Sequence, residues 1–158
     1  MPAPSSSGRV IQWHWAGQDP PGEAKTDREI IGTLFMKLRE MYAKDGGKLP
    51  EPILKLNWAY ATATNPSPEE ILREMSGRAL TDVMDPKDKT KVLVPAGQQL
   101  AGFGQLQDDG STACGNLIYS GVWPQAGNLS QRRDTADPGG MGNNLNWGFA
   151  WPANRRVL

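Results

Sequence analysis

Few side chains in this sequence are equipped for chemistry. The single histidine, His14, sits between Trp13 and Trp15, and the single cysteine, Cys114, sits in a glycine-rich run. Two arginine pairs, Arg132-Arg133 before Asp134 and Arg155-Arg156 after Asn154, stand in a stretch otherwise poor in charge, while Arg9 and Gln12 lead into the histidine. A lone imidazole can donate to a ligand, but it more commonly satisfies a hydrogen bond in a half-buried strand. Cys114 has no basic neighbour in sequence to lower its pKa and reads as an inert small residue. Arginine forks buried in apolar surroundings must find carboxylate, phosphate or carbonyl partners. An internal pair of Arg133 with Asp134 or Asp137 would satisfy that need; so would a phosphate-bearing cofactor or a neighbouring chain. Trp123, Trp147 and Trp151 could stack a ligand, although buried packing is the usual fate of such large rings.

The same scarcity excludes whole classes of reaction. One cysteine cannot form an intrachain disulfide. One cysteine and one histidine cannot supply the four ligands of a closed zinc site or an iron–sulfur cluster. No serine lies in a GxSxG-like elbow, and Gly139-Gly140-Met141-Gly142 lacks the spacing and the strand–helix setting of a dinucleotide fingerprint. With 17 basic and 17 acidic residues the formal net charge is zero, so no electrostatic footprint for nucleic acid or an anionic membrane exists. No apolar run approaches the roughly 18 residues of a membrane span. Residues 1–8 lack the basic and apolar regions of a signal peptide and are expected to form a disordered lead.

The elements that must position these groups fall into two zones. In residues 9–91, Arg9 to Trp15 alternates enough for a short strand, which Gly17 and Pro20-Pro21-Gly22 end. Thr26 with Glu29 forms a capping box. Ile30, Ile31, Leu34, Phe35, Leu38, Met41 and Tyr42 then make one stripe at helical period, stopped by Gly46-Gly47, which predicts a core-facing helix. Ile53 to Trp58 is expected to be extended. Ser67-Pro68-Glu69-Glu70 starts a second helix, carried by Ile71, Leu72 and Met75 and closed by Gly77. Leu80 to Met84 is expected to add a helical turn. Lys91 to Val94 opens the strand-forming zone. In residues 92–158, Gln99 to Leu106 and Ala113 to Trp123 read as short strands around an Asp108-Asp109-Gly110 turn. Eleven of the 18 glycines lie from Gly97 onward, a composition suited to irregular backbone held against a larger body. The expected class is α+β or α/β, with two main helices in the first half and long Gly/Trp-rich loops in the second.

Several separated islands occur in a telling order: Ser7-Gly8-Arg9, Gln12-Trp13-His14-Trp15, Pro21-Gly22-Glu23-Ala24, Asp108-Asp109-Gly110, Gln131-Arg132-Arg133-Asp134, Asp137-Pro138, and Trp151-Pro152-Ala153-Asn154-Arg155-Arg156. In order and approximate spacing they resemble the large subunit of respiratory formate dehydrogenases, in the molybdopterin oxidoreductase superfamily, from about Ser7 to Leu158.

That resemblance implies formate oxidation at molybdenum or tungsten held by bis-molybdopterin guanine dinucleotide. It also implies a [4Fe-4S] cluster and electron transfer to an iron–sulfur subunit. The chain departs from the family pattern in lacking the cluster cysteines and the Cys or selenocysteine metal ligand with its adjacent histidine. Neither Cys114 nor His14 matches those positions. The resemblance therefore implies an internal slice, a partial domain, with residues 9–91 in the central cofactor-binding body and residues 92–158 leading toward a C-terminal pterin-binding domain. Such a slice would arise from a truncated frame or from one piece of a split subunit. It would bind no cofactor alone, would partner the remaining portions of the large subunit and an iron–sulfur electron-transfer subunit, would bind no nucleic acid and would not insert directly into a membrane. Family members of this kind imply a periplasmic location. The candidate cofactor-facing positions are Arg9, Gln12, His14, Arg132, Arg133, Arg155 and Arg156, with no catalytic or metal-ligating residue. The competing expectation is a stand-alone Trp/Asn-rich module binding glycan or peptide, or an accessory protein binding other formate dehydrogenase subunits.

Overall fold

The computed structural model describes residues 10–136, 138–140 and 146–150. Among these, the helices are α1 (Asp27–Asp45), α2 (Glu51–Lys55) and α3 (Pro68–Ser76). The strands are β1 (Val10–Ile11), β2 (Arg78–Ala79), β3 (Val83–Met84), β4 (Val92–Val94), β5 (Thr112–Ala113) and β6 (Phe149–Ala150). Each pairing is antiparallel: β1 with β6, β2 with β5, β3 with β4. Helices mixed with short antiparallel pairs make this the α+β form of the expected class. Two compact units divide the chain, one spanning Ala16–Glu70 and the other joining the N-terminal residues through Trp15 to Ile71 onward.

In the Ala16–Glu70 unit, α1 begins where the capping box places it. Thr26 Oγ1 accepts from the Glu29 N–H, and Gly46, at φ +70°, donates back to the Tyr42 carbonyl. The side of the helix bearing Gly32, Phe35 and Arg39 is covered by the unit's own chain. Phe35 stacks on Trp58 at 4.3 Å, Trp58 Nε1 donates to the Ala63 carbonyl at 2.8 Å, and Arg39 donates to the Leu54 carbonyl at 2.7 Å. Gly32 meets the loop so closely that a Cβ there would stand 2.5 Å from the Thr64 oxygen. The expectation of a core-facing stripe fails on the neighbouring side, however. Ile30, Ile31, Leu34, Leu38 and Met41 are all exposed, Ile31 at 61% and Leu34 at 59%, and Gly32 is the buried residue of the helix. Periodicity shows which face is apolar; it carries no information about what covers that face.

Two local expectations are also corrected. Ile53 to Lys55, the first half of the run expected to be extended, lies in the helical turn Glu51–Lys55. Proline in the first turn forfeits no helical hydrogen bond, and five residues with two apolar positions carry too little period to separate helix from strand. Val83–Met84 is a strand where a helical turn was expected, because β-branched Val83 finds a partner in Val94 across a hairpin. The longer strands expected at 99–106 and 113–123 shrink to an isolated Arg78–Gln99 bridge and the two residues of β5, each followed by a 3-10 turn.

The second unit holds the larger core. Helix α3, whose first residues belong to the Ala16–Glu70 unit, starts with a full reciprocal box: Glu70 N donates to Ser67 Oγ at 3.2 Å, and Ser67 N donates to Glu70 Oε2 at 3.0 Å. Its apolar side delivers Leu72, wholly buried, into a cluster with Ile11, Trp13, Tyr119, Val122 and Phe149. Full burial of a leucine contributes about 2 kcal/mol. A smaller cluster of Ala79, Val83, Val94 and Leu100 lies under the β3–β4 hairpin. Gly121 joins loop to core: at φ +77° its N–H donates to the Ser76 carbonyl at 2.9 Å, and a Cβ there would sit 2.5 Å from the Ala101 oxygen and the Gly102 Cα.

Candidate functional site

The residues singled out for chemistry converge only in part. The β1 end, the 3-10 turn at Leu129–Gln131, and β6 come together from positions far apart in sequence. Asn128 caps that turn by accepting from the Ser130 N–H at 3.0 Å, and the Ser130 carbonyl in turn accepts from Trp13 N at 2.9 Å. The β1–β6 register sets Ile11 against Phe149, and the chain before β6 bridges Arg133 to Trp147. The histidine island and the first arginine pair thus belong to one small assembly.

Within it, Arg132 is committed to structure. Its Nε donates to the Leu129 carbonyl at 3.1 Å and the Gly148 carbonyl at 3.0 Å, while Gly148 N donates to the Arg132 carbonyl at 2.8 Å. The guanidinium therefore links the turn to β6. Arg133 is exposed, and its guanidinium lies over the Trp15 ring, 5.5 Å from the centroid, a cation–π contact. The expected ion pair of Arg133 with Asp134 is not what this loop uses. Asp134 accepts instead from Ala136 N at 2.8 Å and from Asn146 Nδ2 at 3.1 Å. Gln12 is half-buried beside Trp13, and His14 is exposed. Arg9, Arg155 and Arg156 lie outside the described residues, as do Asp137 and Trp151.

Trp13, Trp58 and Trp123 are used for packing, whereas Trp15 is exposed. Trp123 meets Trp13 edge-on at 6.2 Å, and the Arg73 guanidinium lies 4.7 Å from its centroid. Sequence reading missed Arg73, because an arginine on an amphipathic helix reads as part of a solvated face; only the fold brings Trp123 beneath it. Cys114 is half-buried, and its Sγ donates to the Met75 carbonyl at 3.1 Å. Burial pushes its thiol pKa up, the opposite of what a nucleophile or metal ligand needs. Asp109 is held below its ordinary value by hydrogen bonds from Ser111, which lock the Asp108-Asp109-Gly110 turn. Among the described residues no three His, Cys, Asp or Glu side chains gather as a metal site would require, and no helix is long and apolar enough to cross a membrane. The arrangement can hold backbone segments in register and present one exposed arginine on an aromatic ring.

No family model matches the chain. Over 97% of its length it is 51% identical to the formate dehydrogenase-O major subunit of Escherichia coli strain K12. It is 46% identical over 98% to the nitrate-inducible formate dehydrogenase major subunit of the same organism. It is also 46% identical over 97% to the formate dehydrogenase major subunit of Haemophilus influenzae. The chain spans about 15% of the length of each of these relatives.

Proposed function

We infer, from the chain's belonging to the formate dehydrogenase large-subunit family as a segment of such a subunit, that it serves as scaffold within a formate-oxidising enzyme and helps to enclose its cofactor site. The observation that carries this reading is identity of 46–51% along nearly all of the chain, against only 15% of each relative's length. In the proposed assembly the remaining portions of a large subunit are its partners, and an iron–sulfur subunit takes the electrons. Residues 9–91 belong to the central body, and residues 92–158 lead toward a pterin-binding domain. The periplasm is the proposed location.

The proposed chemistry, oxidation of formate to carbon dioxide, would be supplied by molybdenum or tungsten on bis-molybdopterin guanine dinucleotide. The residues present do not fit the metal or the [4Fe-4S] cluster. One cysteine cannot supply the thiolates of the cluster, and Cys114, its thiol half-buried on the Met75 carbonyl and its pKa raised by burial, has no histidine adjacent to it in sequence as the family's metal ligand does. No catalytic step is therefore assigned to this chain. Arg132 is already held by two carbonyls. Arg133, exposed and oriented by Trp15, is a described group suited to an anionic partner, with Gln12, His14, Arg9, Arg155 and Arg156 as further candidates.

The test is replacement of the matching segment in the E. coli formate dehydrogenase-O major subunit by these 158 residues. Metal content and formate oxidation by the purified enzyme should stay within about tenfold of the parent, a loss of no more than about 1.4 kcal/mol. Failure of the replaced subunit to assemble, with the parent assembling normally, would refute the reading.

A further inference from the structure

Helix α1 carries two apolar faces, and only one of them is covered. Successive residues turn by about 100°, so Ile30, Ile31, Leu34, Leu38 and Met41 fall within one arc of about 100°. Gly32, Phe35 and Arg39 fall on the adjoining arc and meet Thr64, Trp58 and Leu54. The five aliphatic side chains are 39–61% exposed. Scattered single exposures need no explanation, but a contiguous stripe of five on one helix marks an interaction surface. The remaining face bears Thr33, Lys37, Glu40 and Lys44, all exposed.

We propose that the Ile30-Ile31-Leu34-Leu38-Met41 stripe is the seat for an apolar surface of the large-subunit body, formed by sequence that lies outside this segment in its relatives. The inference rests on the family reading given above and adds the surface through which the segment joins the rest. The length of chain outside the segment selects this occupant. Each relative carries the segment as about 15% of its length, so more than five times as much polypeptide surrounds it in the same subunit. A partner in the same chain is present at high effective concentration and needs no separate association step. A second copy has no such advantage. A membrane surface is disfavoured because an interfacial helix surrounds its apolar face with Lys and Arg, whereas this stripe has Asp27 and Asp45 at its ends and a polar face of mixed charge.

The experiment uses the E. coli subunit carrying these 158 residues in place of its own segment. Paired changes Ile31→Glu and Leu34→Glu should lower the yield of assembled, metal-loaded subunit at least tenfold, while Thr33→Glu on the polar face should leave it within twofold. Leu34→Cys should react with a maleimide at least tenfold more slowly in the native replaced subunit than in the separate 158-residue chain, read on the α1 peptide by mass spectrometry. Thr33→Cys should react alike in both. Normal assembly of the double glutamate variant, or equal labelling of Leu34→Cys in subunit and chain, would overturn the proposal. Protection of Leu34→Cys in the separate chain would overturn it as well, and a dimer seen by light scattering would identify a second copy as the cover. If the unsubstituted replacement does not assemble, the family role itself falls and the docking surface with it. If it assembles and only the stripe variants behave like their controls, the docking surface alone falls.

Discussion

Helix α3 has nine residues and brings Leu72 to complete burial, with Met75 packed against the same cluster. Helix α1 has 19 residues and leaves five large aliphatic side chains exposed. Both begin with a Ser/Thr and Glu capping pattern, and both carry apolar residues at helical spacing. What separates them lies in the surroundings. The β1 strand, the loop at Tyr119–Val122 and β6 close over α3 from distant parts of the chain, whereas only one face of α1 meets a loop of its own unit. An amphipathic pattern specifies a demand for cover, and for α3 that demand is met by segments distant in sequence. Helix length is a poor guide to how much a helix adds to the stability of its own unit, since most of that stability comes from packing.

Substitutions at matched positions measure how far the two helices differ in what they add to stability. Gly121→Ala should have the largest effect, about 4 kcal/mol in urea unfolding, since the new methyl meets fixed backbone and a positive φ is kept. An unchanged midpoint would mean that the loop does not close over Ser76 as described. Leu72→Ala should cost about 3 kcal/mol, while Leu34→Ala, the same chemistry on α1, should cost under about 0.5 kcal/mol in the separate chain. Equal losses would erase the distinction between the two helices. Arg132→Met should cost about 2 kcal/mol by leaving the Leu129 and Gly148 carbonyls without their charged donor. Retention of full stability there would show that the β6 link is dispensable. The smallest effect is kinetic. With its thiol pKa raised by burial, Cys114 holds less thiolate than a free thiol at any pH below that pKa. Its alkylation should therefore lag behind a model peptide at pH 8 and gain as pH rises. A rate equal to the peptide's would contradict the Cys114–Met75 contact.

The candidate site was legible in fragments. Trp13-His14-Trp15 and Arg132-Arg133 stood out because polar groups in charge-poor surroundings need partners, and the fold does bring Arg133 to Trp15. The partners themselves were not legible. Arg132 takes two backbone carbonyls, and every residue has a backbone carbonyl, so sequence cannot single out Leu129 and Gly148. Asp134 adjoins Arg133 in sequence yet takes Ala136 and Asn146, because the local turn presents its carboxylate to those donors. Arg73 gave no signal at all, since its role depends on where Trp123 lands.

Local chemistry set the parts of this protein that depend on neighbours in sequence. Capping boxes at Thr26 and Ser67, glycine stops at Gly46 and Gly77, and the Asp109–Ser111 turn each follow from side chains within a few residues of the backbone they satisfy. One cysteine and one histidine likewise rule out, by number alone, an Fe–S cluster or a closed zinc site built within the chain. Tertiary structure alone decided whether an apolar stripe is a core or a surface, and which strand pairs a two-residue segment can find. Those outcomes depend on the segments that come to surround a side chain, and burial is a property of that surrounding volume, which periodicity along a single helix does not encode.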